Sequence, residues 1–232
     1  MLTWYLARAT GLVLLVVFTA ATVLGVVSST AATDTAGRRV PRFVATDLHR
    51  RLSLLAAVLL AGHIAVSVAD SYVSITALDA VVPFVGSYRR IWLGFGTLAT
   101  DVTLAVVVTS ALRHRIGPRM WRAVHLSVYL AWPAVLLHGL GTGSDTRRLA
   151  ALAVTGACTL VVLGAVGWRL VAGRPRPLST ARVVALASLP VLVLVLAVWT
   201  SAGPLGGGWA KRSGTPAPPT RTAPAAARAG AP

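Results

Sequence analysis

The sequence predicts an all-α, polytopic membrane protein, a bundle of six transmembrane helices whose chemistry is concentrated on the second and fourth. Three observations predict it. Of 232 residues, 56% are hydrophobic and only 12% are charged, whereas soluble domains carry roughly 25% charged residues. Six apolar runs reach the length of about 20 residues that a bilayer core demands: Ala9–Ser28, Leu48–Ala69, Ile91–Leu112, Trp121–Leu140, Leu149–Ala172 and Ala181–Thr200. Four of the five histidines stand in the second and fourth of these runs.

The formal charge of +16 comes from 21 Arg and one Lys against six Asp, with no Glu. Such a balance can mark a nucleic-acid binder. Here the arginines sit in short loops between apolar runs, so membrane topology explains them and nucleic acid is not expected as a partner. The single cysteine, Cys158, excludes an internal disulfide and any Cys-rich metal site; inside an apolar run it reads as a buried small hydrophobe.

The first run has small residues after it, Ser28-Ser29-Thr30-Ala31-Ala32, that would suit cleavage of a signal peptide. Its apolar stretch is longer than the usual h-region of about 7–15 residues. The amino end carries only Arg8, and Trp4-Tyr5 are interfacial anchors. The run is therefore read as a retained span. The second run opens with Asp47-Leu48-His49-Arg50-Arg51, passes His63 and ends near Asp70. At about 1.5 Å per residue the two histidines lie about 21 Å apart along a helix, and fourteen steps of about 100° miss whole turns by only about 40°.

The third run carries Asp101 at mid-span, where a carboxylate must be neutral, paired or hydrated. Either a proton or water role or a structural hydrogen bond fits it. His114, between Arg113 and Arg115, reads as a solvated loop residue. The fourth run places His125 and His138 thirteen residues apart, which leaves them about 140° apart on an ideal helix. Either they serve different flanks of the span, or Pro133 bends it between them. Tyr129, one turn beyond His125, reads as a packing residue. The membrane domain is thus 1–200, followed by a Pro/Ala/Gly/Arg-rich segment, 201–232, expected to be a disordered external tail.

Orientation follows from positive residues near the span ends. The loops after spans one, three and five hold thirteen: Arg38, Arg39, Arg42, Arg50, Arg51, Arg113, Arg115, Arg119, Arg122, Arg169, Arg174, Arg176 and Arg182. The opposite side holds seven near the spans: Arg8, Arg89, Arg90, Arg147, Arg148, Lys211 and Arg212. Both termini are therefore expected outside the cytoplasm, with both histidine-bearing spans running from inside to outside.

A single histidine in a span serves as polar glue between helices as readily as it serves function. Two parallel spans, each with an inner and an outer histidine, point instead to haem. The iron of a b-type haem takes neutral imidazole nitrogens on its two axial positions. The expected ligand pairs are His49 with His125 and His63 with His138, giving two b haems between helices two and four. Arg50, Arg51, Arg119 and Arg122 beside the inner pair, and Arg89 and Arg90 beside the outer, are candidates for the haem propionates; topology explains the inner set nearly as well.

The spacing carries a resemblance. His49-x13-His63 in one span and His125-x12-His138 in another resemble the transmembrane domain shared by ferric reductases and NADPH oxidases. Thr109-Ser110-Ala111-Leu112-Arg113, Trp121-Arg122-Ala123-Val124-His125 and His138-Gly139-Leu140 extend the likeness over roughly residues 45–145. In that family the histidine pairs hold two b haems that pass electrons outward, and the four positions here match. The family's enzymes usually continue into a cytosolic flavin and nicotinamide domain, whereas here a sixth span follows. Gly206-Gly207-Gly208 has neither the strand nor the helix of a dinucleotide motif, so no flavin or nicotinamide site is expected on this chain. The resemblance therefore implies a membrane oxidoreductase component fed by a flavoprotein partner or a quinol, with an extracytoplasmic redox partner or other acceptor. It is also similar to the haem-bearing membrane subunit that feeds a periplasmic methionine sulfoxide reductase. The competing reading is a haem-free membrane transporter or scaffold whose intramembrane histidines are polar contacts.

Overall fold

A computed structural model describes residues 2–28, 42–71, 73, 75–143, 145–171 and 179–215. Most of these are helical, with no strand among the described residues. The long elements are α1 (Leu2–Ser28), α2 (Arg42–Val68), α4 (Arg90–Ala111), α8 (Leu149–Val171) and α9 (Thr180–Ala202). A sixth rod is built from α6 (Pro118–Leu126) and α7 (Val128–Thr142), and three short helices complete the order: α3 (Ala77–Val81), α5 (Arg113–Ile116) and α10 (Trp209–Arg212). Six segments are long and apolar enough to cross a membrane, at the positions that the apolar runs predict.

Three span starts lie earlier than hydropathy alone places them, among them α2, which begins at Arg42 rather than Leu48. α1 begins at Leu2 rather than Ala9 because Arg8 is neutralised: it forms an ion pair with Asp145, and its guanidinium lies 3.8 Å from the Trp4 ring centroid. The fourth span begins at Pro118, where Gly117 turns the chain at φ 76°. Proline then takes the first helical position, at which its missing N–H costs nothing.

The fourth span also resolves its own phase problem. The helix is interrupted at Ser127, not at Pro133: Ser127 N donates to Val124 O at 3.0 Å and Leu130 N to Ser127 O at 2.8 Å. Such three-residue bonds wind the chain at about 120° per residue instead of about 100°. One tightened turn adds about 60°, which brings the expected offset of about 140° between His125 and His138 down to about 80°.

α1 is the central rod. It packs along α2, α8 and α7, while α4 packs along α7. Leu14, Leu15 and Phe18 meet Ala56, Ala99, Ala131, Trp132 and Leu136 in the main apolar core. The buried Trp132 indole N–H donates to Thr19 Oγ1 at 3.1 Å, so even the polar atoms of this layer are satisfied. Cys158 is buried as a free thiol, as a small hydrophobe should be. Gly25 lies against His49 and Gly11 against His63, so α1 and α2 are antiparallel. Arg8 meets Asp145 and Arg169 Nη1 meets Val26 O, so α1 and α8 run the same way. α9 packs mainly on α8 and exposes Val184, Leu192, Leu194 and Val195, an apolar face suited to lipid.

The segment expected to be a tail from residue 201 is packed as far as Thr215. Trp209 lies 5.4 Å from Trp92 and 6.1 Å from Trp199 by ring centroids, and its indole N–H donates to Gly141 O at 3.0 Å. Arg89 secures the same segment through its backbone N–H to Gly214 O at 3.0 Å and its Nε to Thr215 Oγ1 at 2.9 Å. One tryptophan anchor in a Gly/Pro-rich stretch is what composition overlooks. The rest of the tail, 216–232, lies outside the described residues, as do Arg38, Arg39, Arg174, Arg176 and residues 29–32.

Candidate functional site

The structure assembles the four intramembrane histidines in the two pairs that their spacing predicts. His49 on α2 and His125 on α6 have ring centroids 6.1 Å apart with planes at 73°. His63 on α2 and His138 on α7 line one cavity. These pairs form a first and a second rung, about 21 Å apart along α2. The helices that carry them barely touch: α2 is held by α1, α7 by α4, and little backbone contact joins α2 to the α6–α7 rod. His49 and His125 thus stand ring beside ring, and His63 and His138 on the walls of one cavity, where helix packing leaves a gap.

Two of the four rings are docked by one repeated device, and a third by a variant of it. His49 Nδ1 donates to Ala21 O at 2.8 Å, and four residues on, a Cβ at Gly25 would stand 3.2 Å from the His49 ring. His138 Nδ1 donates to Trp92 O at 3.0 Å, and a Cβ at Gly96 would fall 2.4 Å from His138 Nδ1. His63 Nδ1 meets a side-chain hydroxyl instead, Thr10 Oγ1 at 3.2 Å, and a Cβ at Gly11 would stand 3.2 Å from its ring.

The physics of this notch is simple. In a helix the carbonyl of residue i already accepts from the N–H of i+4, and its second lone pair is free. The Cβ of residue i+4 leans toward the amino end, over that carbonyl, so glycine there opens it to an incoming ring. A backbone carbonyl only accepts, so Nδ1 must carry the proton and Nε2 keeps its lone pair. His63 is fixed likewise at its hydroxyl contact. Thr10 Oγ1 donates to Leu6 O at 2.7 Å, so at 3.2 Å His63 Nδ1 is the donor to Thr10 Oγ1. Such partners orient metal-ligating histidines and raise their basicity.

His125 is the exception. Among the described residues no group pairs with its Nδ1. It stacks instead on Trp121, centroids 5.0 Å apart and planes at 28°. The position on α4 that corresponds to a fourth notch is Ser110, fourteen residues beyond Gly96. There the Trp121 indole N–H donates to Ser110 Oγ at 3.3 Å, so an indole occupies the place that a ring and a glycine take at the other three positions.

The second rung opens into a cavity of about 280 Å³ between α1, α2, α4 and α7. Its walls are mostly apolar, with Leu15, Phe18, Leu60 and Leu136 toward the core and Trp4, Arg8, Tyr88 and Asp145 toward the far end. The candidate propionate arginines are distributed unevenly. Arg89 is buried, and its Nη1 donates to Gly141 O at 2.7 Å. Arg90, Arg50, Arg119 and Arg122 are exposed, the last two beside a shallow groove with Ala123 and Leu126. Arg51 is exposed and paired with Asp47 at 2.7 Å. The cation that does line the cavity is Arg8, which the spacing argument did not single out. Asp101 is half-buried on α4 and does not line the cavity; His114 is exposed on α5.

Gly11, Gly25 and Gly96 were also missed, although a signal exists. Gly11 and Gly25 stand fourteen residues apart, the same interval as His49 and His63 on the antiparallel neighbour.

Comparison with protein-family models, curated proteins and solved structures finds no match for this chain. The fit of a haem is therefore judged on geometry alone. Bonds of about 2 Å to a metal on each side, plus about 1 Å from nitrogen to ring centre, put two axial imidazoles about 6 Å apart. The first-rung separation of 6.1 Å meets that figure. The Nδ1–H tautomers of His49 and His138 and the apolar cavity of the second rung also suit such a group.

Proposed function

We propose that the chain is a membrane cytochrome b that carries electrons between two haems, from a donor on the arginine-rich, cytoplasmic side to an acceptor outside. The observation that carries this reading is the pairing of imidazoles across the gap between α2 and the α6–α7 rod. His49 and His125 hold the inner haem; His63 and His138 hold the outer. When bound, each haem supplies a one-electron iron couple.

The chain's own residues do the rest. Ala21 O, Trp92 O and Thr10 Oγ1 hold three imidazoles in the tautomer that offers Nε2. The Leu14–Phe18 layer keeps water out of the middle of the bundle, and Arg8 stands where the cavity of the second rung meets the far end. The donor is a flavoprotein or a quinol, and the acceptor an extracytoplasmic redox partner, oxygen or a metal chelate, in keeping with the resemblance to ferric reductases and NADPH oxidases. Both termini lie outside under this reading.

One observation favours the haem-free alternative: carbonyl bonds from His49 and His138 are also what interhelical polar glue makes. Glue, however, needs no second imidazole across a gap. The test is vectorial. Protein in sealed liposomes, reduced from the arginine-rich side, should reduce membrane-impermeant ferricyanide on the other side. Ferricyanide reduction that persists in the His49→Ala, His63→Ala double variant would exclude the path proposed.

A further inference from the structure

The two rungs are not equivalent, and the difference assigns a second property to the first one. This inference rests on the haem reading above. Both second-rung rings are tethered at Nδ1, as is His49 on the first. His125 alone has no protein partner there among the described residues, is half-buried, and is held laterally by the Trp121 stack. It also rides on a separate piece of helix. α6 has nine residues, begins after Gly117 at φ 76° and ends at the tightened turn of Ser127.

A tethered imidazole must break a hydrogen bond to swing away from iron, whereas His125 must only slide off an indole. We propose that His125 is an exchangeable axial ligand, and that the first rung is a binding site for a small neutral diatomic ligand. The exchange is a simple substitution. The bond from His125 Nε2 is broken, the lone pair returns to a neutral imidazole, and the incoming molecule's own lone pair makes the new bond. No electron or proton is transferred. The second rung, with both rings tethered, stays closed.

Carbon monoxide added to the dithionite-reduced, full-length protein is the probe. In wild type about half of the haem should shift its Soret band, the other half remaining unchanged at saturating gas. Trp121→Ala should increase the rate of carbon monoxide binding by about two- to tenfold, the factor that one aromatic contact represents. Gly164→Ala, on α8 with nothing within 4 Å of its added Cβ and away from the cavity, should leave rate and amplitude unchanged. Two haems with no carbon monoxide shift would overturn the exchange while leaving the two-haem reading intact. Equal binding at both haems, or a Trp121→Ala rate equal to wild type, would also overturn it. A preparation without haem would overturn both.

Discussion

The two histidine rungs share one helix, α2, yet are built with different amounts of support. At the second rung both rings lean on a neighbouring helix beside a glycine, His63 on Thr10 Oγ1 with Gly11 and His138 on Trp92 O with Gly96. At the first rung only His49 does so, through Ala21 and Gly25. The difference teaches that a ligand ladder is not specified by its histidines alone. The helices that carry none, α1 and α4, decide which rings are fixed and which can move.

The largest expected effect comes from removing rungs one at a time. His63→Ala or His138→Ala should remove the outer haem and leave the inner, halving haem per chain; His49→Ala or His125→Ala should do the reverse. Redox difference spectra with haem quantified per chain check this. If His49→Ala resembled His138→Ala, the pairing of the rungs would be wrong.

How much of this was legible follows from what each signal depends on. The six spans and the two ladders rest on hydropathy and helical periodicity, which are local, and the structure has them. The notch glycines were not legible, because a glycine in an apolar helix looks like any small residue until a ring from another helix reaches it. Arg8 was read as a topological charge because its partner, Asp145, lies far along the chain. Ser127 carries no breaker signature, whereas Pro133 does, and the interruption nevertheless falls at Ser127. The tail boundary failed for one reason, Trp209, whose contacts with Trp92 and Gly141 outweigh the composition around it.

The next effect in size sharpens the comparison within the notches. Gly96→Ala places a Cβ 2.4 Å from His138 Nδ1, so the ring must leave Trp92 O. The outer haem should be lost or severely weakened, with the inner spectrum unchanged. At Gly25 and Gly11 the corresponding distances are 3.2 Å, and overpacking of this kind costs about 1–3 kcal/mol. There alanine should shift the electron paramagnetic resonance signal of one haem each, inner for Gly25→Ala and outer for Gly11→Ala, with both haems retained. Identical effects of the three variants would break the account of the notch.

A smaller effect is expected at the far end. Arg89 is 6% exposed and ties α4 to Gly141, three residues past His138, and to the C-terminal segment. Arg89→Ala should lower stability by about 1–3 kcal/mol, the cost of leaving buried partners unmet. Thermal release of the outer haem should accelerate before that of the inner; simultaneous release would show that the C-terminal segment does not favour one rung. The smallest effect belongs to Arg51, 75% exposed and paired with Asp47 in the same helix. Arg51→Ala should change thermal stability by less than about 0.5 kcal/mol. A larger loss, accompanied by a shifted inner-haem spectrum, would mean that Arg51 contacts the haem.

All of these comparisons presuppose that the rungs hold haem, and one measurement addresses that directly. The full chain, purified in detergent from haem-replete cells, should be red, with a reduced-minus-oxidised spectrum of b-type haem and close to two haems per chain by pyridine haemochromogen. A colourless protein of normal helical content would contradict the central claim and leave the four histidines as contacts between helices.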